Sequence, residues 1–154
     1  MAPLYFEDVT AGDRYDCGSQ RLTADDIIEI GERFDPQPYH IDREVAEAQF
    51  GDLLASAIHT LGICQRLVTD EFFSRVVTDA GAGFEEVQCQ APVLADDKIS
   101  VSAEILGKRP LDSHPDRGLV RVKYIARNQF GDLVMTAIAL PFFKRRDAWT
   151  SVPR

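Results

Sequence analysis

The chain is poor in the residues that build disulfide and metal sites. Its 154 residues include three cysteines, at 17, 64 and 89, and three histidines, at 40, 59 and 114. An odd number of widely spaced cysteines with no C-x-x-C pair gives no disulfide framework and predicts free, reduced thiols. The histidines show no H-E-x-x-H pattern or other regular ligand spacing, so no metal site is expected. Long apolar runs are also missing: none approaches the roughly 20 residues that cross a bilayer. The opening "MAPLYFEDVTAGD" turns acidic at once and lacks the basic and apolar regions of a signal peptide. No membrane attachment is expected, and the expected location is cytoplasmic. Positive charge is scarce as well, with 17 Lys and Arg against 25 Asp and Glu and a net charge of -8. That balance argues against nucleic-acid binding, which rests on neutralising phosphates with Lys and Arg. The local cluster Lys144, Arg145 and Arg146 reads as a solvated tail after the last strand.

What is present is an ordinary globular composition, 45% apolar, at the length of one domain spanning 1–154. Thr23, with Asp26 three residues on, resembles a capping box. Ile27, Ile28, Ile30 and Phe34 then form an apolar stripe, which predicts a helix over about 24–34. Pro36 and Pro38 force its end. Asp42 is placed to cap a short helix over 43–49 that "FG" at 50–51 would stop. A longer helix is expected over 53–69, apolar round most of its circumference and therefore buried on several sides. Helical pattern continues over 70–77.

Beyond Gly81 the period falls to 2. "FEEVQCQAPV", "KISVSAEIL", "LVRVKYIAR" and "LVMTAIALPFF" read as strands, with a long loop at 107–118 holding an exposed His114 and a tight one at 128–132. Helices followed by antiparallel strands predict an α+β domain in which a curved sheet wraps the apolar helix.

The chemistry concentrates in "RFDPQPYHID", residues 33–42, where Asp35 and His40 stand five residues apart. Asp35 falls at a helix C-terminus, where the dipole disfavours a carboxylate. An Asp-Pro turn accounts for that residue alone. The pair says more. Two prolines between an acid and a base reduce the entropy lost in positioning them, and the two groups together can accept and donate a proton near neutral pH. Such a pair suits adding water to, or removing it from, a double bond next to a carbonyl. The charge gathering on the carbonyl oxygen then needs N–H donors, which a helix N-terminus supplies. "LLASAIHT" offers one, with Ser56 reading as its cap. "LASAI" is not G-x-S-x-G, so Ser56 does not read as a nucleophile. His59 reads as a packing or hydrogen-bonding residue of the helix.

The segments "YFEDVTAGD" (5–13), "FDPQPYHID" (34–42), "FGDLLASAIHT" (50–60) and "VRVKYIARNQFGDLVMTA" (120–137) resemble the MaoC-like dehydratases, relatives of the R-specific enoyl-CoA hydratases. The resemblance implies a hot-dog fold and a homodimer, or a dimer of dimers, with the site near the subunit contact. It also implies reversible hydration of a trans-2-enoyl thioester on coenzyme A or an acyl carrier to an (R)-3-hydroxyacyl thioester. Neither metal nor redox cofactor is implied; coenzyme A enters only as part of the substrate. The family motif of Asp, any residue, Asn, Pro, any residue, His is met by Asp35 and His40 as catalytic residues, with Gln37 in place of the asparagine. Gln37, Ser56 and Ala57 form the implied substrate-binding set. Ala57 stands where the family has a glycine whose N–H meets the thioester oxygen, and Asp52 stands where a second glycine is common. Two alternatives remain, a hot-dog acyl-CoA thioesterase and a non-catalytic hot-dog subunit that binds acyl chains or stabilises a partner. The first needs a carboxylate on the central helix, and residues 54–69 hold none.

Overall fold

The computed structural model describes residues 1–149 of the chain. The elements follow one another as β1 (Arg14–Arg21), α1 (Ala24–Phe34), the single turn α2 (Pro38–Ile41), α3 (Arg43–Phe50), α4 (Ala57–Glu71), β2 (Thr78–Cys89), β3 (Lys98–Pro110), β4 (Arg117–Arg127), β5 (Leu133–Lys144) and the short α5 (Arg146–Trp149). The five strands form one antiparallel sheet in the order β1-β3-β4-β5-β2. Along β3 and β4 buried residues alternate with more exposed ones, as the pleat requires. Their inward side chains, Ile99, Val101, Ala103 and Ile105 with Val120, Val122, Tyr124 and Ala126, share one core with Ile63, Cys64 and Val68 of α4. A long helix held against one face of an antiparallel sheet is the hot-dog fold. Cys17 and Cys64 are buried free thiols, and burial pushes them up to about 11 and about 12, leaving both protonated and inert near neutral pH.

α1 forms over the expected residues because its cap does. Thr23 accepts from the Asp26 N–H while Asp26 reaches back to Thr23. α3 likewise starts at Asp42, whose side chain accepts from the Val45 N–H, and ends at Gly51 with φ +89°.

The main helix departs from expectation, beginning at Ala57 rather than at 53. Leu53 to Ala55 spend their backbone groups elsewhere: Leu54 N–H donates to Tyr39 O at 3.1 Å, Ala55 N–H to Val93 O at 2.8 Å, and Leu53 O accepts from Ala95 at 3.0 Å. A segment so paired cannot also make helical bonds. Ser56 then caps α4, its hydroxyl accepting from the His59 N–H at 3.1 Å.

β1 was not foreseen. Its sequence, RYDCGSQR, buries only Cys17, and Gly18 at φ +78° lies within a register shift between Asp16 and Ser19, so no alternation marks it. The loop expected over 107–118 is shorter than expected, because β3 runs on to Pro110 and β4 opens at Arg117.

The basic cluster at the end of β5, expected as a solvated tail, is paired with acids, and Lys144 belongs to the strand itself. Lys144 pairs with Asp79 and Asp116, Arg117 with the same two acids, Arg145 with Glu7 and Arg146 with Asp8. This ionic end of the sheet lies near Thr78 opposite Phe143. The other end of the same strand pair is Cys89 opposite Met135.

Two glycines test the packing. A Cβ on Gly31 would stand 3.0 Å from Ile41 Cγ2, 3.1 Å from His40 Cβ and 3.2 Å from His40 O, so α1 can rest against α2 only without it. Gly31→Ala is expected to cost about 1–3 kcal/mol, lowering Tm by several degrees. Gly62, in α4 with nothing within 4 Å of its added Cβ, should instead gain up to about 1 kcal/mol on Gly62→Ala. Thermal melts of the two variants against wild type check both signs.

Candidate active site

The turn after α1 is built from backbone bonds. Asp35 N–H closes the helix on Gly31 O, Gln37 N–H donates to Asp35 O at 2.8 Å, and His40 N–H donates to Gln37 O at 2.9 Å. Pro38 occupies the first position of α2, where its missing N–H costs nothing. Asp35 and His40 are therefore placed by the main chain before any ligand is present.

His40 is only 5% exposed. Its Nδ1 lies 2.5 Å from Leu54 O. A carbonyl can only accept, so Nδ1 carries a proton and the exchangeable position is Nε2. That nitrogen faces Asp35, 3.4 Å from Oδ2. The gap is longer than a charge-assisted hydrogen bond of about 2.7–2.9 Å. It leaves both groups able to contact one small molecule beside them.

Beside His40 lies a cavity of about 290 Å³, lined among others by Ala57 and Thr60 of α4, Cys89 at the end of β2, Gln90 and Met135 of β5. In the first turn of α4, His59 N–H is taken by the Ser56 hydroxyl and Thr60 N–H by Ser56 O. Among the described residues, nothing accepts from the N–H groups of Ala57 or Ile58. An N-terminus with unpaired donors beside a cavity is suited to an oxygen that gathers negative charge.

The structure thus gathers Asp35, His40 and Ala57. Ser56 is 2% exposed and caps the helix without lining the cavity. Gln37, expected in the substrate-binding set, does not line the cavity. Its side chain is exposed and its amide makes no hydrogen bond among the described residues; its backbone N–H and C=O do the holding. Asp52 brings little free charge towards the helix start, because one oxygen accepts from Leu53 N–H at 2.7 Å and from Arg43 at 3.1 Å.

Sequence reasoning missed Leu54 O, a backbone group with no side-chain signature, and the cavity residues Thr60, Cys89 and Met135, which are brought together from α4, β2 and β5. His114 is exposed and bonded to Ser113. Among the described residues no cluster of His, Cys, Asp or Glu could hold a metal ion, and no helix is long and apolar enough to cross a membrane.

A sequence profile of the family described as "MaoC like domain" matches residues 10–128. The chain belongs to the MaoC-like domain family. This MaoC-like chain is 34% identical to the MaoC-like dehydratase from Rhodospirillum rubrum, with a TM-score of 0.83 over 93% of this chain and 98% of that one. It is 31% identical to the uncharacterized protein YdeM of Bacillus subtilis over 127 residues, which cover 82% of this chain and 89% of the relative. The R-hydratase PhaJ1 from Pseudomonas aeruginosa, 17% identical, shares the fold with a TM-score of 0.73 over 94% of this chain and 88% of that one.

His59 lies on the same helix turn, 8% exposed, with no partner for its buried Nδ1. Burial holds its pKa below the ordinary 6.5, against a smaller opposing pull from Asp26. An unfolded chain therefore protonates His59 at a higher pH than the folded one does. The contribution of the neutral ring is complete above about pH 6.5 and is lost as pH falls through the window between the two values. Denaturant unfolding at about pH 7 and about pH 5.5 should show wild type losing more stability than His59→Leu.

Proposed function

We propose that this chain catalyses reversible hydration of a trans-2-enoyl thioester, carried on coenzyme A, to an (R)-3-hydroxyacyl thioester. The observation that carries the reading is the Asp35–His40 pair, 3.4 Å apart, next to a cavity that also meets the unpaired N–H of Ala57. Asp35 accepts a proton from water as its oxygen attacks the β-carbon. The charge passes to the thioester oxygen, where Ala57 N–H receives it, and His40 Nε2–H delivers a proton to the α-carbon. Asp35 has gained one proton and His40 has lost one, so transfer between the neighbours restores the starting state. Leu54 O keeps the Nδ1 proton in place throughout. Water is added and nothing is oxidised, so the reading needs no resident cofactor. The carboxylates of α4, Asp70 and Glu71, stand at its far end, and its first turn beside His40 and Ala57 carries no acid, which favours hydration over a thioesterase.

The reading includes a second copy of the chain. Every residue of β2 is exposed, Phe84 and Val87 each at 41%, and the strand lies at an open edge of the sheet. Such an edge is normally covered. Light scattering should give a mass near twice 17.2 kDa; a monomer at working concentration would remove this part.

The decisive assay mixes the protein with a short trans-2-enoyl-CoA and follows loss of the conjugated-thioester absorbance, with a thiol reagent reporting any free CoA. Absorbance should fall while CoA stays attached. Asp35→Asn and His40→Ala should each lower kcat by about 100-fold or more, Asp35→Asn without changing the melting curve and His40→Ala with the fold kept at a lower Tm, because Leu54 O loses its buried partner. Near wild-type rates in either variant would end the assignment.

A further inference from the structure

A second cavity, about 560 Å³, runs between α1 and α4. Ile30 and Phe34 line it from α1, and Ile58, His59 and Leu67 from α4. Phe34 and Ile58 are 56% and 53% exposed, and both line this one groove, which makes an apolar patch of them rather than scattered single residues. Each is the chain neighbour of a proposed reaction-centre residue, Phe34 of Asp35 and Ile58 of Ala57. The first turn of α4 thus has Ala57 on the small cavity and Ile58 on this groove.

His59 is the buried polar group here. Its Nδ1 is buried without a partner, while Nε2, equally unbonded, is not sealed from solvent. An unpaired lone pair is cheaper to bury than an unpaired N–H, so the single proton of the neutral ring belongs on Nε2. The groove therefore offers two neutral polar groups among apolar walls, His59 Nε2–H and the Gln20 amide. Its two charges, Arg66 and Asp70, pair with each other at 2.6 Å. The site suits a neutral, amphipathic chain with an amide carbonyl.

A thioester bound at the end of α4 has two arms to place. We propose that this groove seats the pantetheine arm, His59 Nε2–H donating to one of its amide carbonyls, while the acyl tail lies on the His40 side. The proposal rests on the thioester reading above.

The test compares a trans-2-butenoyl group carried on CoA with the same group on ethanethiol, which has no amide. The ratio of kcat/KM for the CoA ester to that for the ethanethiol ester should fall about tenfold in His59→Leu and in Phe34→Ala, and His59→Gln should recover part of it. An unchanged ratio in both variants overturns the seat. Should wild type hydrate neither ester, the hydration reading fails by itself and calorimetric binding of butyryl-CoA decides the seat. Weaker binding to His59→Leu than to wild type sustains it, and equal or absent binding overturns it. Ile58→Lys supplies the remaining check, because a fall in its light-scattering mass would show the groove to be covered by a second chain and would also overturn the proposal.

Discussion

Leu54 ties its own segment to two others. Its N–H donates to Tyr39 O, its C=O accepts from His40 Nδ1, and the residue forms a bridge with Leu94. A hydrogen bond of this kind contributes about 0.5–1.5 kcal/mol net, but losing one inside the protein costs more, because the partner is left buried and unpaired. The geometry of the site follows from this. Residues held in extended pairing cannot enter the helix, so α4 opens at Ala57 with its first N–H groups unspent. The imidazole keeps its Nδ1 proton in either charge state and presents Nε2 to Asp35.

The main chain also explains how the site accommodates its departures from the family motif. Gln37 sits where the family has asparagine, yet the turn is closed by Gln37's own N–H and C=O. A longer side chain pointing into solvent leaves those bonds intact. Ala57 in place of glycine keeps the same peptide donor. In both places a backbone group is kept: Gln37 N–H and C=O close the turn, and Ala57 N–H is the donor in the proposed reaction.

The parts of the fold that local pattern controls were legible. Thr23 and Asp26 announced α1, Asp42 and Gly51 bracketed α3, and β3 and β4 showed their burial in alternating residues. Asp35 and His40 were legible because two prolines and a short spacing constrain them within one loop. The remainder depends on partners distant in sequence. β1 has only Cys17 to bury and is a strand because β3 lies beside it. Leu53 to Ala55 looked helical because their apolar side chains suit a buried helix, and only pairing to Tyr39, Val93 and Ala95 draws their backbone away. The groove beside His59 exists because α1 crosses α4, a relation no single segment encodes.

The two ends of the β2–β5 pair are held by different forces. Near Thr78, the acids Asp79 and Asp116 meet Arg117 and Lys144, while Glu7 and Asp8 tie down Arg145 and Arg146. Near Cys89, bonds between peptide groups and one buried imidazole do the work. Dissolved ions screen partly exposed charges over about 8–10 Å at ordinary ionic strength but act little on buried dipoles. Raising the salt therefore loosens the ionic pole more than the pole whose bonds run between peptide groups.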